Sequence, residues 1–357
     1  MNLEEQKILY KKLMIETSKQ TGIAMLAFLE SVKKDSPNLF EIVAELPRKK
    51  IGTFETRAYF MRMAYEICSG KQWSRDVVYA CAAVTFELCS MYNMNRVFDE
   101  KGGKEILANP NLQIIAGMIN KGLATRALAN GCQNLSQSAF INVLNKFDHG
   151  INQQVYYGQY IDLEENIYKK EENQNWEKMK EKYLERCYLI NGVFYEEIAE
   201  IASVLGNGSQ KNEKALKNFG KYFGITQQIV NDIADFVPPE KNQGTEEKVP
   251  DDSYSDFKHG KLTLPIIYSL INGTNNEKKM IMDMIGDKNI ETDNFLKLTK
   301  MLVKNRSIEY SINTAIEYAR NARSCLDELM NTEKEKPLWP MLDVAYTNRY
   351  YKALREL

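Results

Sequence analysis

The chain has 357 residues, 44% of them hydrophobic and 27% charged, with 47 basic against 48 acidic residues and a formal net charge of −1. That balance leaves no sequence-wide field to recruit nucleic acid or anionic lipid, so a small molecule or a protein is the expected partner. Only 19 Gly and 9 Pro punctuate it, which favours long uninterrupted elements, and such elements are usually helices.

The first stretch, Met1 to Gln20, is charged and has no apolar h-region, so no secretory signal is expected. The longest largely apolar run, Val77 to Phe86, predicts a buried helix. It is too short to cross a bilayer, and no stable membrane insertion is expected. The six cysteines, Cys68, Cys81, Cys89, Cys132, Cys187 and Cys325, have no metal-ligand spacing. They read as buried thiols in a reducing cytoplasm. Further on, Gly158-Gln159-Tyr160-Ile161-Asp162-Leu163 places Gln159 and Asp162 one helical turn apart. An apolar stripe follows through Leu184, Cys187, Tyr188, Val193, Phe194, Ile198, Ile201, Ala202 and Leu205, stopping at Gly206-Asn207-Gly208-Ser209. The next helix is predicted from about Asn212 to Phe236, ended by Pro238-Pro239. A polar loop from Val237 to Asp256 leads to Asp256-Phe257-Lys258-His259-Gly260-Lys261-Leu262-Thr263-Leu264-Pro265, which opens another apolar helix. Asn272 to Asn276 marks a turn. Nothing alternates like a strand. The expectation is an all-α chain forming one domain over residues 1–357, with roughly ten to fourteen helices.

The chemistry concentrates in the helix that ends near Phe236. There Gln228, Asn231, Asp232 and Asp235 share one broad face over two turns. Ile229, Val230 and Ile233 cover the other faces. Two carboxylates and two amides would be costly to bury without cations, water or a polar ligand. Oxygen-rich clusters of this kind suit Mg²⁺ bound through carboxylates and substrate phosphates, although a solvated face or an interhelical salt bridge would serve the same residues. Downstream, Gly260 frees the backbone and Lys261 offers a point charge to phosphate. The two histidines, His149 and His259, lie too far apart in sequence to suggest a catalytic pair.

The strings Q-x-x-N-D-x-x-D, D-F-x-x-G-K-x-T-L-P and G-Q-x-x-D-L, in this spacing, resemble the trans-isoprenyl diphosphate synthases, or polyprenyl synthetases. The resemblance spans roughly Arg57 to Pro265. It implies the isoprenoid synthase type I fold, a helical bundle around a central apolar cavity, with Mg²⁺ as cofactor. By the same resemblance Asn231, Asp232 and Asp235 form the second aspartate-rich motif and hold metal. Lys261 contacts an allylic prenyl diphosphate, and Gln159, Asp162 and Gln228 line the cavity. A homodimer is implied, or a heteromer with an active relative.

Other family features are depleted. The first motif, D-D-x-x-D, becomes Asn95-Arg96-Val97-Phe98-Asp99, which leaves Asp99 as a metal ligand and Asn95 and Arg96 as candidate diphosphate contacts. The G-K-R-x-R-P run becomes Thr53-Phe54-Glu55-Thr56-Arg57-Ala58, in which Arg57 survives, with Lys49 and Lys50 nearby. The K-T-x-x-L-F segment becomes Leu189 to Phe194 and loses its lysine. Each lost cation removes a charge-assisted contact of roughly 1.5–3 kcal/mol. Three readings follow. One is a prenyltransferase that ionises an allylic diphosphate and passes on the prenyl group. Another is a terpene cyclase of the same fold, suggested by Asn231-Asp232, by Glu240 and by Arg349-Tyr350. The third is a non-catalytic regulatory subunit of a prenyl diphosphate synthase.

Overall fold

A computed structural model describes residues 3–100, 109–169, 174–237, 254–329, 337–347 and 349–356. Among them there is no strand, only a single bridge between Ile167 and Lys261. The architecture is all-α, as the sequence implies. Chain order begins with α1 (Leu3–Asp35), α2 (Pro37–Lys50), α3 (Thr56–Ser69), α4 (Arg75–Phe98) and α5 (Pro110–Gly131). Two long interrupted helices follow, α6 over 137–165 and α7 over 176–206, and then α8 (Gln210–Ala234). The remainder is α9 (Ser255–Lys258), α10 (Leu264–Asn272), α11 (Asn275–Met284), α12 (Thr292–Lys304), α13 (Ser307–Leu326), α14 (Asp343–Tyr346) and α15 (Arg349–Arg355). The chain groups into two compact units.

The first unit comprises Met1–Asn152, Tyr195–Gly220 and Arg323–Met341. Its helices carry recognisable ends. Pro37 starts α2, where its missing N–H costs nothing. The Glu55 carboxylate accepts from the Arg57 and Ala58 amides to cap α3, and Gly70 closes α3 in the left-handed region. The central element is α4, buried on every side from Ala80 to Met91. It runs further than the apolar Val77–Phe86 stretch suggests, far enough by length and composition to cross a bilayer, yet 83% of its most apolar window is buried inside the protein. It is a core helix. Helix α5 approaches it closely because Gly131 has no side chain: a Cβ there would lie 2.8 Å from the Asp76 carbonyl oxygen.

The second unit comprises Gln153–Phe194, Lys221–Ala322 and Leu342–Leu357. Its core gathers Tyr183 and Cys187 from α7, Ile225, Ile229 and Ile233 from α8, Ile266, Ile267 and Leu270 from α10, and Leu298 and Leu302 from α12. Helix α8 begins at Gln210, two residues before Asn212, and ends at Ala234, before Phe236. Pro238-Pro239 and most of the Val237–Asp256 loop lie outside the described residues, and the chain is helical again from Ser255. The turn at Asn272–Asn276 is only two residues long. Thr274 caps α11 reciprocally with Glu277, so the chain restarts a helix at once.

Candidate active site

Helices α6 and α7 do not keep the ordinary pitch. α6 opens into π turns at Lys146–Gln153 and Ile161–Glu165, and α7 does so at Tyr188–Gly192. Each π turn accommodates an extra residue and re-aims the side chains around it, a device frequent at functional positions. Asp162 and Asn191 both sit in such turns. Helix α8 can come close to the second of them because residue 224 is glycine. A Cβ there would meet the Asn191 carbonyl oxygen at 2.5 Å.

Within the second unit these elements assemble a buried polar network. On α8, the Gln228 Nε2 donates to Asp232 Oδ1 at 2.8 Å, and its Oε1 accepts from Asn191 Nδ2 at 2.7 Å. Arg186 of α7 bridges two carboxylates, Nη1 donating to Asp162 Oδ1 and Nη2 to Asp232 Oδ2. Lys261 Nζ pairs with Asp162 Oδ2 at 2.5 Å and with Asp256 Oδ1 at 3.4 Å. Asp162, Arg186, Asp232 and Lys261 are each at most 3% exposed. Charges so deeply placed persist only when paired and hydrogen-bonded, and here they are.

Local backbone geometry fixes Lys261. Gly260 adopts a positive φ of 78°, a conformation open to glycine. The Leu262 N–H donates to the Asn166 carbonyl, and Asn166 Nδ2 returns a bond to the Leu262 carbonyl, both at 2.9 Å. Tyr168 N–H donates to the Gly260 carbonyl at 2.8 Å. The segment after Asp162 therefore clamps the segment that bears Lys261.

Electrostatics differ between the two aspartates. Burial opposes ionisation of Asp162, but Arg186 and then Lys261 outweigh it and hold its pKa below the ordinary value. At Asp232 burial prevails over the pull of Arg186 and lifts the pKa above the ordinary carboxylate value. Burial also works against the Arg186 charge, yet Asp232 and Asp162 push its pKa up. Two buried donors, Gln159 Nε2 and Arg186 Nε, have no acceptor among the described residues.

The remaining sequence candidates are placed differently. Asn231 is exposed on α8, and Asp235 lies in the turn just past its end, where its carbonyl accepts from the Tyr254 N–H. In the first unit, Asp99 is the buried C-cap of α4 and Asn95 is half-buried. Arg96 forks onto Glu45 at 3.1 and 3.2 Å and reaches Gln113 Oε1 at 3.3 Å. It ties α4 to α2 and α5. Arg57 is buried over the Tyr195 ring, 5.2 Å from its centre. Lys49 pairs with Glu45 at 2.8 Å, and Lys50 sits 4.7 Å over the Tyr92 ring. Glu240 and the Arg349 and Tyr350 side chains lie outside the described residues.

Among the described residues no three His, Cys, Asp or Glu side chains converge as metal ligands. Mg²⁺ binds through open carboxylate oxygens, whereas those of Asp162 and Asp232 already accept from Arg186, Lys261 and Gln228. Asp162 and Asp232, held in this way, do not fit the ion. Arg186 is the member that the motifs do not reveal.

The chain is 25% identical over 170 residues to octaprenyl diphosphate synthase of Haemophilus influenzae, an alignment covering 47% of this chain and 49% of that one. It thus spans about half the length of that curated relative. Its fold matches geranylgeranyl pyrophosphate synthetase of Pyrococcus horikoshii with a TM-score of 0.78 at 21% identity, over 97% of this chain and 99% of that one. A polyprenyl synthase of Caulobacter crescentus, crystallised with calcium and isoprenyl diphosphate, matches with a TM-score of 0.73 at 17% identity, over 94% and 98% of the two chains. The family model described as polyprenyl synthetase matches residues 107–302. That is more than half of the sequence and holds the whole buried network, and the chain belongs to the polyprenyl synthetase family.

Proposed function

We propose that this protein binds an allylic prenyl diphosphate and transfers its prenyl group to an acceptor, as a prenyltransferase of isoprenoid biosynthesis. The observation that carries the reading is the convergence of Gln228, Asp232, Asp162 and Lys261, all within the family match, on one buried network. Loss of diphosphate from an allylic carbon separates a cation from a highly charged anion. Fixed donors that need no reorganisation stabilise that anion as it forms. Lys261 is the phosphate-facing cation in this reading, positioned by Asp162 and Asp256. Gln159 Nε2 and Arg186 Nε are donors still open to an acceptor.

Residues 1–357 act as one isoprenoid-synthase-like domain, supported by the match of 97% of the chain to a single solved fold. Ile114, Ile115 and Met118 of α5 are exposed along one side, which supports a homodimer. Six free thiols, five of them buried, support a cytoplasmic setting. The resemblance implies Mg²⁺ dependence through Asp99, Asn231, Asp232 and Asp235, of which Asp232 has its oxygens taken by Arg186 and Gln228.

The test is turnover. Purified protein incubated with geranyl, farnesyl and geranylgeranyl diphosphates, each with isopentenyl diphosphate, should yield a lengthened prenyl diphosphate. Lys261→Met should lower the rate about a hundredfold or more. Hydrocarbon or alcohol products formed without an acceptor would overturn transfer in favour of cyclisation. One observation favours a second reading: the Arg186 hold on Asp162 and Asp232 suits a non-catalytic subunit. Absence of turnover, with copurification of an active relative, would support that reading.

A further inference from the structure

An aspartate-rich motif recruits a divalent ion when its oxygens are open and its charge is uncompensated. Neither condition holds at Asp232 of the second motif or at Asp162 beside it. Asp232 gives Oδ1 to Gln228 and Oδ2 to Arg186; Asp162 gives Oδ1 to Arg186 and Oδ2 to Lys261. Asp162 and Asp232 face one guanidinium and one ammonium, and the one carboxylate in excess, Asp256, lies at the outer end of Lys261 and not between the two aspartates. The planar guanidinium suits this role because its fork presents separate N–H groups to two acceptors and keeps its charge when buried.

We infer that Arg186 is a built-in replacement for a divalent ion at this motif, holding Asp162 and Asp232 together as a shared metal would. Its charge is covalently attached and cannot be exchanged. The organisation of Asp162 and Asp232 is then independent of free metal concentration. The inference rests on the network geometry and not on prenyl transfer, and its test reads metal binding, so the two stand or fall separately.

Mn²⁺ is titrated into the full-length protein, alone and with inorganic pyrophosphate, while free Mn²⁺ is followed by electron paramagnetic resonance. Four proteins are compared: wild type, Asp232→Asn, Arg186→Met, and the double variant. Asp232→Asn should leave wild-type Mn²⁺ affinity within about threefold, because Asp232 ligates no metal there. Arg186→Met should gain a Mn²⁺ site that the added Asp232→Asn abolishes. The inference is overturned if Asp232→Asn weakens wild-type Mn²⁺ binding by about tenfold or more. It is also overturned if Arg186→Met, folded by circular dichroism, gains no site. Should Arg186→Met fail to fold, the wild-type and Asp232→Asn pair decides alone.

Discussion

At the scale of single residues, the buried carboxylates govern how the protein responds to pH. Glu87 lies on α4 with no exposed surface. Burial, against the weaker pull of Lys121, raises its pKa from 4.5 to about 7. The folded state therefore keeps a proton that the unfolded state releases between those values, and stability falls as pH rises through that window. Glu87→Gln removes the penalty. Unfolding free energies from urea titrations at pH 5 and pH 8 should show the variant gaining on wild type at the higher pH, by on the order of 3 kcal/mol. An equal difference at both pH values would refute the assignment. Asp232 and Lys261 were legible from motif spacing, but Arg186 was not. It sits among Glu177, Lys178, Lys180, Glu181, Lys182 and Glu185 and reads as one more surface charge. Its position between Tyr183 and Cys187, both fully buried, is the signal that marks it as an inward charge.

At the scale of elements, most helices follow from apolar periodicity, whereas the interruptions that aim the site do not. One trace survives in the stripe of α7. Its members are never more than four residues apart except between Tyr188 and Val193, a step of five, and that is where the π turn Tyr188–Gly192 lies. The π turn carrying Asp162 left no such mark, because Gln159 and Asp162 fit an ordinary helix equally well. These turns need close backbone approach. Gly224→Ala would drive a methyl group into the Asn191 carbonyl and the Gly192 Cα, at 2.5 and 2.7 Å. Backbone cannot swing aside as a side chain can, so thermal unfolding should report a loss of about 1–3 kcal/mol. Substrate affinity should fall with it as Asn191 loses Gln228. A variant that melts with wild type would show that α7 and α8 tolerate separation.

At the scale of the whole molecule, composition and long helical patterning specify an all-α chain, and the fold agrees. Self-association is argued at this scale too. Met118 is 60% exposed on α5 with Ile114 and Ile115 beside it, an apolar cost that a second copy would relieve. Ile115→Asp should shift the mass measured by light scattering from dimer toward monomer, with the circular dichroism spectrum unchanged. An unaltered dimer would move the interface elsewhere. The degenerate first motif was legible as an absence, but its actual role was not. No spacing rule indicates that Arg96 would find Glu45, a residue far away in sequence on α2. The clamp between Asn166 and Leu262 bears on how the protein matures. It joins positions 96 apart, so closing it carries the entropy of a long loop, and contacts of such reach form late in folding. A nascent chain halted before Lys261 would already possess Asp162, Arg186 and Asp232, but would lack the strap that seats its last cation. Shortened products of this gene should accordingly accumulate as helical yet inert species, recognisable by protease sensitivity around Asn166.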